Sequence, residues 1–330
     1  MDFLTTLEWL GKPAWMWIMF LGVVITLLAF DLGVLEKRRK NKLAPDDDGS
    51  MGIAQSLKLS AFYIAIALIY GAWLWLSLGR ESGMAFYTGF ALEKALALDN
   101  VFVISLIFAF FAIPITLQRR VLLWGILGVI VLRAIMIGLG TALVTQFDWV
   151  LWIFGAFLLF TGIKMLKDGG DDHDFSNNKL LIWLKKRLPI TEELHGERFI
   201  IKRTVDGKLK TFVTPLFLAL IMVELIDVVF AVDSIPAIFA ITQDPFIVYT
   251  SNIFAILGLR ALYFALAAMV HRFAYLKPAL SLVLVFIGLK IFYSQLWGKL
   301  DPAISLSVTL ALLLGGVVVS LIKTKPAAAN

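Results

Sequence analysis

Long apolar runs dominate this sequence and constrain its fold more than any other feature. A helix that crosses the hydrocarbon core of a bilayer needs about 20 mostly apolar residues. The sequence contains nine stretches of this kind. They cover residues 14–35, 58–78, 87–112, 120–144, 148–166, 212–241, 246–270, 277–294 and 302–322. We therefore predict an all-α, polytopic membrane protein with about nine transmembrane helices, in contact with the lipid bilayer.

Charge and cysteine content exclude several other classes. Only 16% of the residues are charged, whereas soluble domains carry about 25%. The sequence has no cysteine, which excludes disulfides and thiolate metal sites. The net charge of +6 does not indicate nucleic-acid binding, because the basic residues are distributed as a membrane topology signal.

That signal comes from the loops between the apolar runs. Successive connections lie on opposite sides of the membrane, so they form two sets. One set, which includes the N-terminus, contains Lys12, Arg80 and Lys299, and the other contains nearly all the remaining loop lysines and arginines. Cytoplasmic loops carry the excess of positive charge. We therefore expect the N-terminus outside, the C-terminus in the cytoplasm, and a multi-pass chain between them.

One sizeable loop interrupts the apolar pattern, at residues 167–211. Residues 179–188 predict a short amphipathic helix on the inner membrane face. Residues 198–213 alternate around Asp206-Gly207, which predicts a β-hairpin. We expect a small cytoplasmic insert at this position.

Helices three to five resemble helices six to eight in sequence. Leu132-Arg133-Ala134 matches Leu259-Arg260-Ala261, and Phe160-Thr161-Gly162 matches Phe286-Ile287-Gly288. Because three helices make an odd number, the second copy must be inverted in the membrane, as in many secondary transporters. The predicted organisation begins with two peripheral helices (1–80) and the first triplet (81–166). The insert (167–211) and the second triplet (212–296) follow, and the last helix with its tail (297–330) ends the chain.

Several polar residues fall inside the apolar spans, where a charge costs at least about 2.5–3.5 kcal/mol at the helix centre on insertion scales. In helix three, Glu93 is followed six positions later by Asp99-Asn100. In helix six, Asp227 is followed at the same interval by Asp233-Ser234. The candidate metal ligands are Glu93, Asp99, Asn100, Glu224, Asp227, Asp233 and Ser234. Oxygen ligands of this kind suit Mn²⁺, Mg²⁺ and Ca²⁺, and the sequence does not choose among them.

The same residues have a structural alternative. Arg133 and Arg260 would then neutralise two of the carboxylates as ion pairs. Asp31 and Asn252 are further candidates for gating or charge pairing. Pro236 would interrupt helix six beside Asp233, because proline has no backbone N–H to donate.

Three stretches resemble the signature segments of the TerC family. The first is Glu93-Lys94-Ala95-Leu96-Ala97-Leu98-Asp99-Asn100-Val101 in helix three. The second covers residues 224–237 and begins Glu224-Leu225-Ile226-Asp227. The third covers residues 251–262 and begins Ser251-Asn252-Ile253. The family is named for tellurium resistance and is related to LysE-type exporters. The resemblance implies a bacterial inner-membrane protein that exports Mn²⁺, with Glu93, Asp99, Glu224, Asp227 and Asp233 around the metal.

We therefore expect a secondary transporter that exports a hard divalent cation, Mn²⁺ in the first instance, by alternating access at a carboxylate site near the membrane midplane. No nucleotide-binding motif is present, and we do not expect an enzyme. Proton coupling would fit, since metal binding releases protons from its ligands, and a homo-oligomer is compatible with the sequence. The alternatives are a membrane scaffold or assembly factor with structural ion pairs, and a tellurium-resistance protein without metal transport of its own.

Overall fold

The computed structural model describes residues 8–41, 53–147, 149–167, 183, 187–191, 193–205, 208–259, 262–264, 276–298 and 300–323. Nine helices of twelve or more residues lie within these ranges. They are α1 (Ala14–Asn41), α2 (Ile53–Leu78), α3 (Arg80–Phe110), α4 (Ile115–Gln146), α5 (Trp149–Lys167), α6 (Pro215–Phe239), α7 (Pro245–Ile256), α8 (Leu276–Trp297) and α9 (Pro302–Lys323).

Six of the described helices are long and apolar enough to cross a bilayer. The qualifying segments are Gln55–Leu78, Ile115–Gln146, Trp149–Lys167, Pro215–Phe239, Lys277–Trp297 and Pro302–Ser320. Helix α3 has the length but carries several charges, and the apolar parts of α1 and α7 are shorter. The predicted helical membrane protein is therefore confirmed, whereas the count of nine spans remains a prediction.

Large apolar side chains project outward from these helices. Leu76 is 86% exposed, Ile322 77% and Ile69 70%. Such an apolar surface would be costly in water and is expected where lipid surrounds the protein.

Helix α3 holds the fold together, because it contributes to each of the three large apolar clusters. One cluster joins it to α4, α5, α6 and α8, and includes Leu92 and Ile235. A second joins it to α1, α2 and α7 through aromatic side chains, among them Phe20, Phe86 and Phe254. The third joins it to α4 and α6. The acidic segment of α3 is consequently surrounded by other helices.

Helices α5 and α8 pack closely at glycines. A Cβ atom at Gly162 would lie 2.8 Å from the carbonyl oxygen of Ser281, and one at Gly288 would lie 3.0 Å from that of Gly155. Small residues let helix backbones approach in this way in membranes.

Two short antiparallel sheets complete the fold. Strand β3 (Ile200–Val205) pairs with β4 (Lys208–Val213), which confirms the predicted hairpin around residues 206–207. Strands β1 (Glu8–Trp9) and β2 (Lys12–Pro13) form a further hairpin that the sequence analysis did not predict. The predicted helix at 179–188 lies almost entirely outside the described residues.

The predicted interruption of helix six at Pro236 is wrong. Helix α6 continues through Pro236 to Phe239 without a break. A proline so close to the end of a helix removes one hydrogen bond and does not separate two halves.

The break lies instead in helix seven. Helix α7 ends at Ile256, and Gly258 adopts a left-handed conformation with φ of +79°. The carbonyl of Gly258 then accepts a hydrogen bond from the N–H of Leu262 at 2.9 Å, which begins another turn. Gly258 suits this position because it has no Cβ to clash at positive φ.

Candidate functional site

A buried arginine joins α3, α4 and α6. Nη1 of Arg133 lies 2.8 Å from Oε1 of Glu93 and donates to Oγ of Ser234 at 2.8 Å. Nε and Nη2 of Arg133 each lie 3.3 Å from one carboxylate oxygen of Asp227. Two carboxylates and a hydroxyl from two helices thus converge on one guanidinium of a third helix. We call these four residues the Arg133 cluster.

The Arg133 cluster is nearly closed to solvent. The side chains of Arg133, Glu93 and Asp227 are 1%, 3% and 14% exposed. The parallel contacts to Asp227 form the forked arrangement that favours arginine–carboxylate pairs. Two carboxylates face one guanidinium, so the cluster contains more acidic than basic groups within a helical membrane protein.

A small cavity lies on one side of the Arg133 cluster. Its volume is about 50 Å³, and its polar lining comes from Asn100, Asp227 and Tyr263. Apolar side chains of α4 and α6 form most of the remaining wall. A water molecule needs at least about 10–15 Å³ measured in this way, so the cavity has room for a few waters.

A second, larger cavity of about 800 Å³ lies at the other ends of α3 and α6. The first residues of α3, the α6–α7 loop and the α8–α9 loop line it, and they bring Arg80, Glu81, Asp244 and Asp301 together. Lys290 also lines this cavity and donates to Oγ of Ser305 at 3.0 Å.

The order of residues along α3 and α6 places the Arg133 cluster between the two cavities. On α3, Thr88 lines the large cavity and Asn100 the small one, and Glu93 lies between them. On α6, Asp227 lines the small cavity and Phe239 the large one, with Ser234 between them. Along both helices the Arg133 cluster therefore lies between the two spaces, with buried apolar residues such as Leu92 and Ile238 on the side of the large cavity.

Glu224 lies one helical turn before Asp227 and is only half-buried. Within the described part of the chain, its buried Oε2 has no hydrogen-bond partner. The carboxylate lies against α4, where a Cβ added at Gly128 would overlap it and one added at Gly125 would lie 3.9 Å from Oε1. A glycine face on α4 thus accommodates this carboxylate.

Two asparagines are buried without full hydrogen bonding. Asn252 is 0% exposed, and neither its amide nitrogen nor its amide oxygen has a partner among the described residues. Oδ1 of Asn100 is likewise unpartnered there. Buried polar atoms are nearly always satisfied in proteins, so these amides indicate a place for water or a ligand.

Lys94 has a role that the sequence analysis did not predict. Its Nζ donates to the carbonyl oxygens of Ala255 at 3.0 Å and Leu257 at 3.5 Å. These carbonyls lie at the break in helix seven, where the helical hydrogen bonds end. A cation at the C-terminal end of a helix is favourable, so Lys94 stabilises the break. Gly258 directly after Leu257 was the sequence signal that could have indicated it.

Some predicted site residues lie outside the described region. The side chains of Asp31, Asp99 and Asp233 are among them, as is the whole of Arg260. Among the residues that are described, no group of three or more His, Asp or Glu side chains is arranged to hold a metal ion. The structure thus brings Glu93, Asp227 and Ser234 together around Arg133, and places Asn100 at the adjoining cavity.

Comparison with known proteins agrees with this architecture. The sequence profile described as "Integral membrane protein TerC family" matches residues 78–328. An "Uncharacterized membrane protein" from Rickettsia bellii (strain RML369-C) is 47% identical over 307 residues, which cover 93% of this chain and 97% of the relative. A "Putative membrane-bound redox modulator Alx" from Escherichia coli (strain K12) is 45% identical over 311 residues, which cover 92% of each chain. No solved structure matches.

Proposed function

Because the chain belongs to the integral membrane protein TerC family, we propose that it is a secondary transporter that exports a hard divalent cation, with Mn²⁺ as its substrate. The observation that carries this proposal is the position of the Arg133 cluster between two cavities. Buried carboxylates that lie between two such spaces are what a transporter needs for a site reached from one side at a time.

The chemistry of the site favours a hard cation. Glu93, Asp227 and Ser234 offer only oxygen atoms, and Asn100 adds an unpartnered amide oxygen at the small cavity. Oxygen ligands suit Mg²⁺, Ca²⁺ and Mn²⁺ better than soft metals. The choice of Mn²⁺ among these rests on the family resemblance, and Asp99 and Asp233 are proposed to complete the ligand set.

The inverted repeat is part of the same proposal. Gly162 and Gly288 occupy matching positions in the two predicted triplets, and both lie at the contact between α5 and α8. This supports a two-fold relation between the triplets, which would rock about the Arg133 cluster during transport. Each triplet would contribute one carboxylate to the cluster, Glu93 from the first and Asp227 from the second.

The name of the Escherichia coli relative raises a second activity, redox modulation. A thiol-based role is excluded for this chain because the sequence has no cysteine. Any effect on cellular redox state would then be indirect, and cation export is compatible with such an effect.

Metal flux in reconstituted liposomes tests the proposal. Wild-type protein should carry Mn²⁺ across the membrane, and Glu93→Gln or Asp227→Asn should slow the flux by at least about tenfold, equivalent to ~1.4 kcal/mol. Glu197→Gln is the matched control, since Glu197 pairs with Arg120 at an exposed site. Folded wild-type protein without flux would favour the scaffold alternative.

A test in cells addresses the remaining carboxylates. Cells that carry Asp99→Asn or Asp233→Asn should accumulate Mn²⁺ and grow poorly in excess Mn²⁺. Wild-type tolerance in both variants would contradict the ligand assignment. Measuring the internal pH of the liposomes during flux tests the proposed coupling to protons.

A further inference from the structure

Arg133 binds three of the residues that were predicted to bind the metal. Its guanidinium contacts Glu93 and Ser234 at 2.8 Å and Asp227 at 3.3 Å. We propose that Arg133 is a tethered counter-cation that occupies the transport site when no substrate is bound, and that the substrate cation must displace it. This inference rests on the proposed function and assigns a specificity-determining residue to the same site.

The contact distances make the two occupants mutually exclusive. Nη1 of Arg133 lies within 2.8 Å of both Oε1 of Glu93 and Oγ of Ser234, so it fills the space between these two oxygens. A divalent metal ion would hold such oxygens at about 2.0–2.6 Å, with no room for a nitrogen between them. The guanidinium has to leave before the cation can be coordinated.

The charges of the cluster predict which cations can displace Arg133. When both carboxylates are ionised, Arg133 compensates one of them and one negative charge is left. A divalent cation neutralises both carboxylates, whereas a monovalent cation supplies the same single positive charge as the guanidinium and gains nothing by replacing it. Because Arg133 is tethered beside the site, its effective concentration there is high. Arg133 should therefore exclude Na⁺ and K⁺ and admit divalent cations.

The return step of the transport cycle needs the same residue. Once the cation has left, Glu93 and Asp227 would face each other without compensation in a site closed to solvent. Uncompensated charges are costly inside a membrane protein. Arg133 restores the pairing and lets the empty protein change conformation. Net export should therefore need Arg133, whereas exchange of one bound cation for another should not.

The experiment compares Arg133→Gln with wild type in two transport modes. Glutamine cannot compensate the carboxylates, so Arg133→Gln should bind Mn²⁺ about tenfold more tightly, within the usual range for linkage between two ligands of one site. Na⁺ should now compete with Mn²⁺. Net efflux from liposomes should fall by about tenfold, with a corresponding rise in its barrier, while Mn²⁺–Mn²⁺ exchange is retained.

Two further variants keep the inference falsifiable. Arg120→Gln removes a half-exposed arginine of α4 that pairs with Glu197 away from the Arg133 cluster, and it should change neither affinity nor flux. Arg133→Lys retains the charge but loses the forked geometry. It should fold even where Arg133→Gln does not, and its affinity for Mn²⁺ should rise less than in Arg133→Gln.

The outcomes separate the inference from the function on which it rests. Weaker Mn²⁺ binding in both Arg133 variants, or parallel loss of efflux and exchange, would show that Arg133 is structural and overturn the inference. An unchanged Arg133→Lys together with a misfolded Arg133→Gln would overturn it as well. An absence of Mn²⁺ flux through the wild type would contradict the proposed function itself.

Discussion

Gly162 and Gly288 contact each other's helix in the same way. Gly162 lies against Ser281 and Val285, which precede Gly288 by seven and three residues. Gly288 lies against Gly155 and Leu159, which precede Gly162 by the same intervals. Contacts in this reciprocal order require α5 and α8 to run antiparallel, and a two-fold axis between the helices would produce them.

Substitution of these glycines should destabilise the protein even though alanine favours helices. A Cβ at position 162 or 288 would lie within 3.0 Å of the opposite backbone, so the helices must separate. We expect Gly162→Ala and Gly288→Ala to lower stability by about 1–3 kcal/mol, as for overpacked cores. Gly138→Ala in α4 is the control, because no atom lies within 4 Å of the added Cβ.

The control should change stability in the opposite direction. Alanine is about 1 kcal/mol more favourable than glycine within a helix, so Gly138→Ala should be neutral or stabilising. Thermal unfolding in detergent measures all three variants. Equal effects at positions 138, 162 and 288 would contradict the close packing of α5 on α8.

Lys94→Met should loosen the break in helix seven. The variant keeps the apolar length of the side chain but leaves the carbonyls of Ala255 and Leu257 without their donor. Hydrogen bonds to charged groups contribute about 1.5–3 kcal/mol, so we expect a loss of about 2 kcal/mol. Hydrogen exchange in the segment that follows Ile256 should accelerate.

Lys164→Met provides the matched control for this prediction. Lys164 is an exposed residue in the last turn of α5. Its replacement should leave both thermal stability and exchange near Ile256 unchanged. If Lys94→Met behaved in the same way, Lys94 would not hold the break.

Most features that depend on a short segment of the chain were predicted from the sequence, and features that depend on contacts between distant segments were not. The apolar runs indicated all nine helices of the described ranges, since length and hydropathy are properties of each segment. Both ends agree within three residues for α5, α6, α8 and α9, one end of each of α1 to α4 differs by five to seven residues, and α7 ends well before the predicted residue 270. The hairpin at residues 200–213 followed from the Asp-Gly turn signal. The break in helix seven was not predicted, because a single glycine inside a long apolar run does not by itself indicate the end of a helix. A helix can continue through a proline near its end, whereas a residue at positive φ interrupts it.

The candidate site shows the same limit. The sequence indicated which polar residues lie inside the helices, and it left open whether Arg133 pairs with carboxylates. The answer depends on how α3, α4 and α6 face one another, which local pattern does not specify. No local pattern connects Lys94 with Ala255, because that contact joins residues 161 positions apart.

Glu93 and Glu224 should differ in the sign of their effect on stability. Glu93→Gln leaves Arg133 paired with Asp227 but replaces a charged contact to Nη1 by a neutral hydrogen bond, which should cost about 1 kcal/mol. Glu224→Gln removes a carboxyl group whose buried oxygen has no partner among the described residues. It should stabilise the protein by about 1 kcal/mol, the usual gain when a functional compromise is relieved.

Both variants should nevertheless transport Mn²⁺ more slowly. Thermal unfolding and flux measured on the same preparations would separate the two effects. Slower flux with higher stability in Glu224→Gln would identify a functional carboxylate. Lower stability with unchanged flux would instead show that Glu224 has a structural role.

Gly128→Ala should impair the site without touching a charge. The added Cβ would overlap the Glu224 carboxylate and force it to move, whereas Gly125→Ala leaves 3.6 Å to the nearest atom, Cγ1 of Val223. We expect the Mn²⁺ flux to fall by about tenfold in Gly128→Ala, equivalent to ~1.4 kcal/mol. Flux in Gly125→Ala should stay near the wild-type rate, and similar rates in both variants would contradict a role for the Glu224 position.

The predicted orientation in the membrane can be tested with single cysteines, because the chain has none of its own. Gln295 is exposed at the large cavity, and Lys202 is exposed on the β3–β4 hairpin. The distribution of loop lysines and arginines predicts that the first lies outside and the second in the cytoplasm. A membrane-impermeant maleimide applied to spheroplasts should label Gln295→Cys fully and Lys202→Cys only after permeabilisation. The reverse pattern would invert the topology, and with it the direction in which the two cavities open.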